Sequence, residues 1–77
     1  MRRQELLDLL CDCLELPKGS LREETPIASV EGWDSLAWLS IIAALDSRFG
    51  VALEGSAIPA MQVVGDVLDY IERKSEQ

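Results

Sequence analysis

Between Asp34 and Phe49 apolar residues return every three or four positions, with Trp38, Ile41, Ile42, Leu45 and Phe49 on one face. A strand cannot keep such a set on one side, because its side chains alternate with a period of two. Residues 34–49 are therefore predicted as a helix, about 24 Å long at 1.5 Å per residue. Gly50 is suited to close it. Leu36, Leu39 and Ala43 make a second stripe at helical spacing on another face. A helix in a small bundle needs one buried face, so the second stripe is surplus to folding. Surplus apolar surface marks a partner-binding face; the alternative is that a neighbouring short helix covers it.

The rest of the chain supplies partners for that helix. Residues 3–16 carry Leu6, Leu7, Leu9, Leu10, Cys13 and Leu14 between acids, an amphipathic helix stopped by Pro17 and Gly19. Residues 17–33 lack helical periodicity, and a loop this long is uncommon in a compact domain unless it has a function. Leu21, Ile27 and Val30 are expected to pin it to the core, and Pro26 to stiffen it. Residues 51–62 are mixed, with Gly55 and Pro59, and have room for one short helical turn. Residues 63–74 return to helical spacing through Val64, Val67, Leu68 and Ile71. Asp66 lies near that helix's start and Arg73 and Lys74 at its end, as the helix dipole favours. The predicted fold is all-α: a small four-helix bundle, three main helices plus one short one, with a long loop between helices 1 and 2. At 77 residues the chain is read as one domain, residues 1–77.

Composition narrows the function. Fourteen acids against seven bases give a net charge of −7, the wrong sign for neutralising nucleic-acid phosphates. Such a charge suits steering toward basic proteins, or serves solubility alone. There is no histidine and there are two cysteines, too few ligands for a zinc site. Cys11 and Cys13 point about 200° apart on a helix, which rules out a bond between them and leaves them as small core or boundary residues. Met1-Arg2-Arg3 is basic, but Asp8 and Asp12 interrupt the apolar stretch that follows, so neither a signal peptide nor a membrane span is expected. A cytoplasmic monomer is the expectation. No catalytic grouping is present: histidine is lacking for a triad, no Gly-rich phosphate loop occurs, and no acids converge for acid–base work.

One hydroxyl stands out. Asp34 and Ser35 are both good N-cap residues, and a helix needs one. With Asp34 as cap, Ser35 becomes the first helical residue and its hydroxyl is free. A negatively charged group attached there would face the positive end of the helix dipole and unpaired N–H groups. On spacing alone, Asp-Ser at a helix start is also an ordinary cap.

With these residues in place, the sequence resembles the acyl carrier protein family, of the phosphopantetheine-binding type, over nearly its whole length. Gly32-Trp33-Asp34-Ser35-Leu36 is similar to the attachment motif, whose core is Asp-Ser-Leu. Ile41 to Val51 is similar to the remainder of the family's second helix, and Val64 to Ile71 to its last helix. The resemblance implies that Ser35 accepts covalent 4′-phosphopantetheine from coenzyme A through a separate, Mg²⁺-dependent phosphopantetheinyl transferase, with Asp34 assisting. It implies a non-catalytic carrier that holds acyl or aminoacyl groups as thioesters. Its partners would be a loading ligase and synthase or transferase enzymes, with Leu36, Leu39, Ala43 and Asp46 as the docking face.

Two departures bear on the cargo. Fatty-acid carriers usually place several acids along the second helix, whereas residues 36–49 hold one acid, Asp46, and one base, Arg48. Trp38 falls where the family usually has a smaller residue facing the acyl cavity; it either fills that space or turns to the boundary and packs. Both departures suggest a specialised carrier of a short acyl, polyketide or aminoacyl group. Glu31-Gly32-Trp33-Asp34 before Ser35 differs from the peptidyl-carrier motif, which disfavours that subtype. The rival class is a helical adaptor without cargo that acts through the exposed stripe.

Overall fold

The computed structural model describes residues 3–75; the basic Met1-Arg2 start noted above lies outside them. In chain order it contains α1 (Arg3–Leu14), a 3₁₀ turn (Ile27–Ser29), α2 (Ser35–Phe49), a 3₁₀ segment (Gly55–Ala60) and α3 (Val64–Ser75). This is the expected all-α bundle of three main helices and a short one. Among the described residues β-type pairing is confined to one isolated bridge, Pro26 with Val63.

Helix α1 stops two residues earlier than its apolar pattern suggests. Pro17 bars helical backbone for Leu16, and the reversal falls on Glu15, at φ 58°. Leu16 N–H donates to the Cys11 carbonyl (2.8 Å) and Glu15 N–H to the Asp12 carbonyl (3.2 Å). That is the Schellman closure, made with glutamate where glycine is usual. Left-handed backbone costs an L-residue about 1 kcal/mol. In α2 the corresponding residue is the expected Gly50, at φ 65°, whose N–H reaches the Asp46 carbonyl.

The core takes Leu6, Leu9, Leu10 and Cys11 from α1, Ile41 and Leu45 from α2, and Val64, Val67, Leu68 and Ile71 from α3. Burying each large aliphatic side chain contributes roughly 1.5–3 kcal/mol before chain entropy is counted. Two details differ from the sequence pattern. Cys11 rather than Cys13 is fully buried, and both thiols are free. On α2 the buried line is Ala37, Ile41 and Leu45, while Trp38, Ile42 and Phe49 are half-buried on its flank. α1 packs against both α2 and α3, and an alanine at 37 permits a close approach that an indole would prevent.

The long loop is anchored at both ends of its path. Leu21 and Ile27 are buried and Val30 packs against the core, as expected. Its backbone also clasps the start of α3. Ile27 N–H donates to the Gln62 carbonyl (2.9 Å), Val64 N–H to Thr25 (2.9 Å) and Gly65 N–H to Glu23 (2.7 Å). A Cβ on residue 65 would lie 3.0 Å from that Glu23 oxygen, a tight contact that favours glycine at this approach. The Arg3 guanidinium joins the same corner, bonding Glu23 (2.8 Å), Asp69 (2.5 Å) and Glu72 (2.6 Å). The hydrogen bond to Asp69 and the surrounding carboxylates hold its pKa above the ordinary value, against partial desolvation.

Candidate functional site

The loop delivers the chain to α2 through Gly32, whose φ of 88° lets it turn sharply. Asp34 follows in extended backbone (φ −113°, ψ −166°), and its carboxylate accepts from Ala37 N–H at 3.0 Å. This is N-cap geometry, with the third helical N–H satisfied. Ser35 is then the first residue of α2 and is exposed. Among the described residues no group bonds its hydroxyl, and none accepts from the N–H of Ser35 or Leu36. A hydroxyl that the fold does not use thus sits at the positive end of a 15-residue helix. An anionic ester at this position would be favoured by the dipole and by the free N–H groups. Within α2 the first acid after Ser35 is Asp46, three turns away, and the nearest negative charge in sequence is the capping Asp34 carboxylate.

Apolar surface surrounds the hydroxyl. Leu36 and Leu39 are 72% and 61% exposed, and they are the large hydrophobic side chains most open to solvent among the described residues. Ala43 and Asp46 continue along α2 and are exposed as well. The second stripe is therefore uncovered: the 3₁₀ segment Gly55–Ala60 does not lie over it. Ser35, Leu36, Leu39, Ala43 and Asp46 of α2, and its N-cap Asp34, are thus all solvent-exposed.

Two grooves flank Ser35. One, of about 400 Å³, is bordered by Ser35 itself together with Trp38, Leu39, Ile42, Gly55, Ile58 and Pro59. The other, about 280 Å³, lies toward α1 and includes Cys13, Asp34, Leu36 and Ser40. Burial pushes the Cys13 thiol up, with Arg48 opposing, away from the depressed range of activated cysteines. Trp38 belongs to the first groove and also packs against the core. Its ring meets Trp33 at 5.1 Å between centroids, tilted by 53°. The Trp33 indole N–H is buried without a partner, a cost of about 1–3 kcal/mol. Neither Trp33 nor the Ile58–Pro59 wall was singled out from periodicity. The available signal was that both tryptophans of the chain bracket Ser35.

The fit to a phosphopantetheine arm can be judged from this geometry. The site offers an unengaged hydroxyl, free helix N–H groups, and beside them the groove along Trp38 and Ile42, which no charged side chain lines. These suit a serine phosphodiester with a largely uncharged extension.

Comparison with known proteins agrees with that fit. A family model described as a phosphopantetheine attachment site matches residues 4–71. The chain is similar to the acyl carrier protein of Thermotoga maritima, 27% identical, with 86% of this chain and 82% of that protein covered. It is similar to the acyl carrier protein of Prochlorococcus marinus, 26% identical, over 96% and 98% of the two chains. Among solved structures it superimposes on the solution structure of the holo acyl carrier protein from Geobacter metallireducens, with a TM-score of 0.78. Identity there is 21%, with 91% of this chain and 80% of that one covered, which supports the fold.

Proposed function

The chain belongs to the family defined by a phosphopantetheine attachment site, and from that premise we propose that it is an acyl carrier protein whose arm is esterified to Ser35. The observation that carries the proposal is the hydroxyl of Ser35, exposed at the first position of α2 and unused by the fold. In the modification, Ser35 Oγ gives up its proton to the transferase and becomes the ester oxygen of the phosphodiester. Coenzyme A is the donor and its adenosine bisphosphate portion the leaving group. Asp34 positions Ser35 by capping the helix, and its exposed carboxylate is available to the transferase's Mg²⁺ site. When bound, 4′-phosphopantetheine supplies a terminal thiol that holds the cargo as a thioester. The chain itself then contributes presentation: a fixed attachment point and a face for enzymes.

That face is Leu36, Leu39, Ala43 and Asp46. Its exposure on α2 supports docking by the transferase, by a loading ligase, and by synthase or transferase enzymes. With one acid and one base along residues 36–49, apolar contact outweighs charge in this docking. The same departures from a densely acidic helix, together with Trp38, support a specialised pathway, polyketide or otherwise secondary, over bulk fatty-acid synthesis.

The test is direct. The protein is incubated with coenzyme A, Mg²⁺ and a broad-specificity phosphopantetheinyl transferase, and intact mass is measured. One phosphopantetheinyl group should be gained, and Ser35→Ala should gain none. Absence of any gain would replace the carrier with a helical adaptor that works through Leu36 and Leu39 alone.

A further inference from the structure

We infer that the acyl group carried from Ser35 rests in the external groove against Trp38, and that Trp38 restricts this chain to short, uncharged acyl groups by keeping cargo out of the core. The inference rests on Ser35 being the attachment point.

Three observations carry it. First, the groove includes Ser35 and continues along Trp38 and Ile42 to Ile58 and Pro59. The arm leaves Ser35 at the edge of this surface, and by folding back along α2 it brings the acyl group at its terminal thiol onto the groove. Second, no ionisable side chain lines the groove, in a chain of net charge −7. An uncharged apolar occupant loses no solvation there that the surroundings fail to offset, whereas a carboxylated cargo would gain no partner. Third, the way inward is occupied. Trp38 borders the groove and packs against the core, and Trp33 supports it from the side. Ile41 and Leu45, one turn and two turns beyond, are wholly excluded from solvent. A long chain would have to displace a packed indole to reach them, while a short one lies across its exposed part. Interiors are close-packed and yield poorly to added volume.

Trp38 thus acts as a specificity-determining residue, by the space it fills. The experiment uses the intact protein loaded enzymatically with butyryl, octanoyl and palmitoyl phosphopantetheine, each confirmed by mass. A failure to load would count against the carrier function itself, and is read before anything else. On loaded protein, NMR contacts from the acyl methyl group and the thermal midpoint are measured. Butyryl and octanoyl methyls should contact the Trp38 ring and Ile58, and the midpoint should not climb from octanoyl to palmitoyl. Contacts from the palmitoyl chain to Ile41 or Leu45, or a midpoint that rises steadily with chain length, would overturn the inference. So would the absence of any acyl contact to Trp38 with every cargo. Trp38→Leu should restore a midpoint that rises with chain length. The series on the parent protein decides the matter even if that variant folds poorly.

Discussion

Helices α2 and α3 both begin after an irregular segment and both have an aspartate in their first turn or at its edge, yet their starts are used in opposite ways. At α3 the donors are taken. Thr25 and Glu23 carbonyls accept from Val64 and Gly65, and the Asp66 carboxylate turns back to accept from Gln62 (2.8 Å) and Val63 (3.1 Å). At α2 Asp34 satisfies only Ala37, and Ser35 and Leu36 remain open to solvent. The long loop makes the difference, since it passes over the start of α3 and stops short of covering α2. One helix start became a clasp and the other was left available for chemistry. An N-terminus becomes a site when tertiary structure declines to satisfy it.

The contrast can be broken most severely at Gly65. Gly65→Val forces side-chain atoms against the Glu23 carbonyl and should cost about 2 kcal/mol, in the range for overpacking. Denaturant unfolding measures the loss, and mass-detected modification at Ser35 should survive it. If Gly65→Val is neutral, the clasp is not a stability element. Next is Asp34→Ala, which removes the one cap on α2 and should cost about 1 kcal/mol while slowing modification. Equal modification rates for this variant and the parent would show that the cap does not position Ser35.

A pH effect reports on the α3 clasp. Hydrogen bonds from Gln62 and Val63 hold the Asp66 carboxyl below its ordinary range. Its stabilising contribution is therefore complete above the unfolded aspartate pKa and fades as pH falls through the lower folded value. Asp66→Asn should flatten the acid side of the stability–pH curve, measured by thermal midpoints from neutral pH downward. An unchanged curve would remove Asp66 from the clasp. Smallest in stability terms is Leu39→Glu. Because Leu39 is exposed, its replacement should shift stability by no more than about 0.5 kcal/mol, while turnover by a partner enzyme falls. A large loss of stability would place Leu39 in the folding core instead.

Much of this was legible in the chain as written. Helical periods through Leu6, Ile41 and Ile71 fixed three main helices, because a period of 3.6 cannot be confused with strand alternation over a dozen residues. Asp34-Ser35 at the edge of such a period indicated a cap followed by a free hydroxyl. What periodicity could not resolve was position within a face. Trp38, Ile42 and Phe49 share a stripe with Ile41 and Leu45, and hydrophobicity ranks them all as core. Only the approach of α1 decided that Ala37 belongs to the buried line and Trp38 to its flank. The end of α1 falls short of its apolar pattern for a similar reason: Leu14 and Leu16 both look apolar, while the chain reverses at Glu15, ahead of Pro17.

The sequence by itself determined the elements, the acidity and the serine at the start of α2, since these depend on local spacing and side-chain chemistry. Tertiary structure alone decided which helix start stays open, because that depends on the path of the loop through Glu23, Thr25 and Ile27. It also decided that the two tryptophans, five positions apart, meet at a tilt of 53° and that Trp38 forms part of the wall of the groove beside Ser35. Such contacts join surfaces contributed by separate elements, and no local pattern specifies how those elements approach one another.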